Sequence, residues 1–291
     1  MKTPLRAGLA GLLGGLLLAL APAAWAAPTT ITWHGHAAFQ IVTPQGHVLM
    51  IDPWLNNPTN PAAGEDMDPV EGIGKVDYIL ITHAHFDHVG DAVALAEKTG
   101  ARLVTNYELG SNLAKLQGFP ADQMGFDSLM NIGGTITIAD GEVKVTMTPA
   151  VHSSGLQNPN AGPDEPDLVY GGNPAGFVLE IEGGPTIYHT GDTSYFKDMR
   201  TIGHCGVTVA LINSGGHFGM EPPMAAKAAK AVHAKYVVAH HWGTFPVLAQ
   251  DTTQLKEALA DKPWYSFRRA PKLLDVMPGQ TVTFEGDELA E

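Results

Sequence analysis

The sequence predicts an α/β sandwich: two mixed β-sheets packed together, with helices on the outside. Three observations predict it. Short apolar runs open each half of the chain and helical stretches follow them in each half. Turn signals recur between the runs, at Pro44-Gln45-Gly46, Asp140-Gly141 and Gly183-Gly184. No interdomain linker and no short repeat breaks the pattern, and 291 residues suit one large domain.

The N-terminus stands apart. Lys2 and Arg6 are followed by an uncharged Leu/Gly/Ala stretch over Ala7 to Ala21, then Pro22 and small residues ending in Ala24-Trp25-Ala26. That is the layout of a secretory signal peptide over residues 1–26, cleaved after Ala26. The apolar stretch is shorter than the ~20 residues of a membrane-spanning helix, which argues for removal over anchoring. A periplasmic or secreted domain over residues 27–291 is then expected, with no stable membrane insertion after cleavage.

The elements of that domain follow in order. Thr30 to Phe39 and Gln40 to Ile51 read as opening strands. Asn56 to Gly74, rich in Pro, Asn, Gly and acids, reads as a long loop. Val76 to Thr82 is a buried strand, Asp91 to Thr99 a helix ended by Gly100, Arg102 to Thr105 a strand and Glu108 to Gln117 a helix. Thr135 to Pro149 gives two strands around Asp140-Gly141. Gln157 to Asn173 has loop composition and is not expected to pack. Gly176 to Glu182 and Pro185 to His189 form a hairpin. Val207 to Ile212 and Lys235 to Ala239 are buried strands flanking a helix over Pro222 to His233, whose prolines sit in the tolerated first turn. Leu255 to Leu259 lies in a last helix, and Lys272 to Val276 and Thr281 to Phe284 close the chain as strands.

Composition narrows the function. Seventeen Lys and Arg against 30 Asp and Glu give a formal charge of −13, with no basic stripe, so nucleic acid is not an expected partner. Cys205 is the only cysteine, which excludes an internal disulfide and a thiolate metal cage. With 13 histidines, a transition metal would be held by imidazole and carboxylate. The expected partner is a small-molecule substrate; the sequence leaves room for an oligomer.

The chemistry sits at strand ends. In Thr82-His83-Ala84-His85-Phe86-Asp87-His88, His83 and His85 lie two apart on an extended segment and face one side. The chain then turns, so Asp87 and His88 can face a neighbouring point. Asp87 alone could serve as a helix N-cap, but capping does not account for three histidines. His152, Asp192 and His241 each follow a further predicted strand. Together these seven side chains complete two metal shells. Zinc suits them, as do manganese and iron.

The strings GHAAF (Gly35 to Phe39), IDPWL (Ile51 to Leu55), THAHFDHVGD (Thr82 to Asp91), MNIGG (Met130 to Gly134), AVHSSG (Ala150 to Gly155), PAGFVLE (Pro174 to Glu180), IYHTGDTSYFKDM (Ile187 to Met199), GGHFGMEP (Gly215 to Pro222) and HWGTFP (His241 to Pro246) span the chain. On these strings the sequence resembles the metallo-β-lactamase fold superfamily, in the branch of small metal-dependent hydrolases related to ascorbate-6-phosphate lactonase-like proteins. The resemblance implies an αββα sandwich with two divalent ions at one edge between the sheets. It implies that His83, His85 and His152 hold one ion, that Asp87, His88 and His241 hold the other, and that Asp192 bridges both. It selects His241 over His240 by position relative to Thr244-Phe245-Pro246. It departs from the branch in two places: export, and Asn213-Ser214 before Gly215-Gly216.

A hydrolase is the reading this supports, with a hydroxide shared by two ions attacking an ester-type bond, as in a phosphodiester or a lactone, of a small anionic substrate. Asp87 belongs to that catalytic centre. His217 and His36 are candidates for the proton donor, or for hydrogen bonds that orient a ligand. Trp54 and Phe86 are candidates for the pocket lining. The alternatives are a di-iron redox protein on the same fold, which His85 disfavours because such relatives carry Glu there, and a non-catalytic metal- or ligand-binding protein of the envelope.

Overall fold

A computed structural model describes residues 27–64, 67–261 and 269–290; the expected signal peptide lies outside the described residues. The first sheet is opened by β1 (Thr29–Trp33), β2 (Phe39–Val42) and β3 (Val48–Ile51). Then come β4 (Tyr78–Leu80), β5 (Arg102–Asn106) and β6 (Leu129–Met130). The second sheet begins with β7 (Thr135–Ile138) and β8 (Val143–Pro149). A small ladder of β9 (Gly155–Gln157) and β10 (Leu168–Tyr170) intervenes. The second sheet continues through β11 (Ala175–Ile181), β12 (Thr186–His189), β13 (Val209–Asn213), β14 (Tyr236–His240) and β15 (Lys272–Leu274). Finally β16 (Thr281–Glu285) and β17 (Glu288–Leu289) return to the first sheet.

The strand orders are β17-β16-β1-β2-β3-β4-β5-β6 and β15-β14-β13-β12-β11-β8-β7. Each sheet is mixed. β3, β4 and β5 run parallel in the first, and β12, β13, β14 and β15 in the second. The carboxyl ends of such parallel strands are where open α/β sheets place their ligands.

Alternation sets the layers. Leu49, Ile51, Leu80 and Val104 point into the core between the sheets, while Met50, Ile79, Ile81 and Leu103 point to a second core on the outer face. The helix Ala92–Thr99 covers that outer face with Ala92, Leu95 and Ala96 and stops at left-handed Gly100. On the far side the helix Pro222–Ala231 lays Ala225, Ala226, Ala228 and Ala229 on the second sheet, and Thr253–Ala260 packs beside it with Leu255 and Leu259.

Two expectations are corrected. Thr30 to Phe39 is not one strand: β1 stops at Trp33 and β2 starts at Phe39. Between them Gly35 (φ 91°) and His36 (φ 46°) take left-handed conformations, closed by His34 N donating to Ala38 O at 2.8 Å. Gln157 to Asn173 does pack, through the antiparallel β9–β10 ladder. Its closure depends on Gly171, where a Cβ would lie 2.2 Å from Ala84 Cβ, so the hairpin seats on the His83–His85 segment.

Candidate metal centre

The site is assembled from the ends of strands in both sheets. After β4 the chain delivers His83 and His85, and the short helix Phe86–Val89 then raises Asp87 and His88 on its first turn. β8 delivers His152. β12 ends in a turn at Gly191 (φ 57°) that presents Asp192. β14 ends at His240, and left-handed His241 (φ 60°) swings its ring to the same point. All seven predicted residues converge, in groups of His83, His85 and His152; His83, His88 and Asp192; and His36, Asp87, His88 and His241.

His83 Nε2 lies 3.0 Å and His152 Nε2 3.3 Å from His85 Nδ1, so three imidazole nitrogens meet. Asp192 Oδ2 lies 3.4 Å from His88 Nε2, 3.8 Å from His152 Nε2 and 2.9 Å from His241 Nε2. One carboxylate thus reaches both halves of the cluster. His88 Nε2, Asp192 Oδ1 and both ring nitrogens of His241 are buried without a hydrogen-bond partner. Buried polar atoms are rarely left so, and a cluster of them around lone-pair donors fits divalent cations.

The supporting contacts fix which nitrogen each ring offers. Asp52, left-handed at φ 46° just past β3, accepts from Thr82 N at 2.8 Å, from Thr82 Oγ1 at 2.7 Å and from His88 Nδ1 at 2.7 Å. Thr82 Oγ1, having given its proton to Asp52, accepts from His83 Nδ1 at 3.0 Å. With Nδ1 engaged, His83 and His88 both turn Nε2 inward, the atom each offers an ion when its ring is neutral there. His85 points the other way, with Nε2 at 3.2 Å from Ser153 Oγ. Sequence reasoning missed the roles of Asp52, Thr82 and Ser153. Only the position of Asp52 after a strand signals anything, and that is common to many acids.

His36 is fully buried. Its Nε2 meets Asp87 Oδ2 at 2.9 Å and its Nδ1 meets Thr244 Oγ1 at 2.9 Å, so the ring ties Asp87 to the loop after His241. His217 stands on the surface in the left-handed region (φ 52°), in the Gly215–Gly219 loop that abuts His241; a Cβ on Gly215 would lie 1.8 Å from His241 O. Among the described residues no hydrogen bond or ring contact joins the His217 side chain to the seven.

His240 lies outside the cluster. Its ring is buried between the two sheets, stacked 4.7 Å from His189 and edge-on 5.7 Å from Phe39, and not between sheet and helix. The same parity that turns Val238 into the inter-sheet core puts it there. His189 bridges the sheets: its Nδ1 accepts from Gly191 N at 3.0 Å, and its Nε2 donates to Ala37 O at 3.3 Å. One neutral ring thus joins the turn that carries Asp192 to the turn that carries His36.

The electrostatics divide the donors. Burial, with His88 beside them, pushes His83 well below the ordinary histidine range and lowers His85. Burial also lowers His152 against the pull of Asp192. In His88, burial is outweighed by Asp192 and Asp52, which hold it well above that range; in His241, Asp192 and Asp87 raise it to about 9. Burial would raise both carboxyls. The nearby His241 and the hydrogen bond from His36 keep Asp87 ionised, and the charges of His241 and His88 keep Asp192 so. Anionic carboxylates and neutral imidazoles are ready for a cation on one side; two imidazoliums hold its place on the other.

Comparisons with known proteins find metal-dependent hydrolases of similar sequence and fold. A family model described as the β-lactamase superfamily domain matches residues 47–242. The chain is 44% identical over 272 residues to a UPF0173 metal-dependent hydrolase of Thermodesulfovibrio yellowstonii, covering 93% of this chain and 97% of that one. It is 50% identical over 243 residues to a UPF0173 metal-dependent hydrolase of Anaeromyxobacter sp., covering 83% and 84%. Among solved structures it is similar to a metallo hydrolase from the hyperthermophilic archaeon Ignicoccus hospitalis, with 32% identity, a TM-score of 0.71, and coverage of 89% of this chain and 99% of that one. An isothiocyanate hydrolase from Delia radicum gut bacteria has the same fold, with a TM-score of 0.61 at 20% identity and coverage of 88% and 100%.

Proposed function

The chain belongs to the β-lactamase superfamily and, within it, to the UPF0173 metal-dependent hydrolases, and from that premise we propose that it is an exported hydrolase with two divalent ions, zinc foremost, cleaving an ester-type bond of a small anionic substrate. The observation that carries the reading is the convergence of seven His and Asp side chains from both sheets around unpartnered buried donors.

In this reading His83, His85 and His152 hold one ion, Asp87, His88 and His241 hold the other, and Asp192 serves both. When bound, such a pair supplies an activated water at neutral pH and polarises the carbonyl or phosphoryl oxygen under attack. The chain's own residues do the rest. Asp52 holds the ring of His88 directly and that of His83 through Thr82, and His36 holds Asp87. His36 has both nitrogens engaged and no exposed surface, so it orients and does not deliver a proton to substrate. His217, on the surface of the adjoining loop, is left as the donor to the leaving group.

The test is metal analysis and activity profiling of purified, metal-loaded protein on phosphodiesters, lactones, acyl-thioesters and β-lactams. Hydrolysis of an ester-type substrate that chelation abolishes and metal restores is expected. Full occupancy with no hydrolysis in any class would favour a binding protein. Iron with a charge-transfer spectrum would favour a redox protein.

A further inference from the structure

We infer that the substrate carries a planar apolar group, stacked on an aromatic wall made by Trp54, Phe86 and Phe245 beside the Asp87 half of the centre. This inference rests on the metal-hydrolase reading and names the substrate class for it.

The three rings come from separate segments and meet at one rim. Trp54 follows Asp52, Phe86 stands between His85 and Asp87, and Phe245 follows Thr244. Trp54 lies 5.6 Å from Phe86, edge to face at 74°, and 6.0 Å from Phe245, stacked at 19°. His36, which holds Asp87, touches two of them, with centroids 5.1 Å from Trp54 and 5.8 Å from Phe245. The wall is therefore one ring away from a candidate ligand. It is also built rigidly. A Cβ on Gly90 would lie 2.6 Å from Trp54 Cδ1, so the indole seats on a bare backbone.

The wall is not fully covered. Phe86 is 50% exposed and Val247, at the same rim as Phe245, is 56% exposed. Beside Phe86 lies an opening of about 140 Å³ bounded by Ala84, Val89, Gly90, Gln117 and Gln157. A phenylalanine forced into water by the two ligands that flank it gains most from a partner that lies flat or edge-on against it, and rings meet both geometries. The asymmetry gives the substrate a direction: its polar, reacting end on the ions and its planar group over Phe86 and Trp54.

The probes are methylphosphonate and phenylphosphonate, which share one metal-seeking head and differ by the ring, titrated calorimetrically into metal-loaded protein. In the parent, phenylphosphonate is expected to bind about tenfold more tightly, the preference one stacked ring confers. Phe86→Ala, Trp54→Ala and Phe245→Ala should each cut that preference to below about threefold at unchanged metal content. Trp54 and Phe245 keep the test alive if Phe86→Ala loses metal. Equal binding of the two probes in the parent, or a preference that survives all three substitutions, overturns the wall. A dimer dissolved by Phe86→Arg with the preference intact would show that a second copy covers it, and overturns it too. Failure of both phosphonates to bind metal-loaded parent overturns the hydrolase centre itself and this inference with it.

Discussion

Asp192 is the residue on which the centre turns. Its Oδ2 reaches His88, His152 and His241, so Asp192→Ala should lose at least one ion and more than about a hundredfold in activity; two ions retained in that variant would assign the bridge to another residue. The neighbouring histidines separate by parity. His241→Ala should empty one ion site, whereas His240→Ala should leave metal stoichiometry at the parent's value and lower stability, since it opens a void beside His189 and Phe39. Metal analysis after mild chelation distinguishes them, and the reverse result would mean the register of β14 is wrong by one. His83, His85, Asp87 and His88 were legible in the sequence because metal chemistry demands rare residue types at fixed spacings, whereas His152, Asp192 and His241, each a single residue after a strand, were singled out with the help of the family resemblance. Asp52 was not legible, because what makes it matter is the approach of Thr82 and His88 in space. Asp52→Asn tests it: the amide offers one acceptor and a misplaced donor, so metal affinity should fall about 10–100-fold with the fold intact by circular dichroism.

At the scale of elements, hairpins with glycine turns and strands with strict alternation were legible, and the places that failed share one cause. The turn after Trp33 and the β9–β10 ladder are fixed by contacts with distant segments, the first through His189 and Ala37, the second through Gly171 and Ala84. Local composition holds no trace of either. The same is true of the clamp remote from the centre, where the buried Glu142 carboxylate accepts from Thr43 Oγ1 at 2.5 Å, Gln45 N at 2.8 Å and His47 Nδ1 at 2.8 Å. This joins the β2–β3 turn of one sheet to the start of β8 in the other. Glu142→Ala leaves those donors without their acceptor and should cost about 1–3 kcal/mol in denaturant unfolding, with metal content unchanged. A loss of metal would show that the clamp and the centre are coupled.

For the whole molecule, protons and metal compete for the same atoms. Without metal, His241 at about 9 and His88 well above the histidine range are cationic at pH 7. The contribution of each to the stability of the metal-free fold is complete below the unfolded histidine pKa of about 6.5; that of His241 is lost as pH rises through about 9, and that of His88 as pH rises through its own raised pKa. Metal uptake needs the neutral rings, so it should release protons at pH 7 and tighten as pH rises toward 9. Calorimetric titration in buffers of different ionisation enthalpy measures the release; none at pH 7 would contradict the assignment of His241 and His88 as ligands. Export is a further whole-chain expectation. Intact mass of the envelope fraction should begin near Ala27, and retention of Met1 would exclude cleavage.

His83, His85, Asp87 and His88 come from the first sheet, and His152, Asp192 and His241 from the second. Neither half of the chain owns a complete coordination set, so the ions report on assembly. Metal uptake should therefore follow the packing of the two sheets, since neither sheet alone brings the full donor set together.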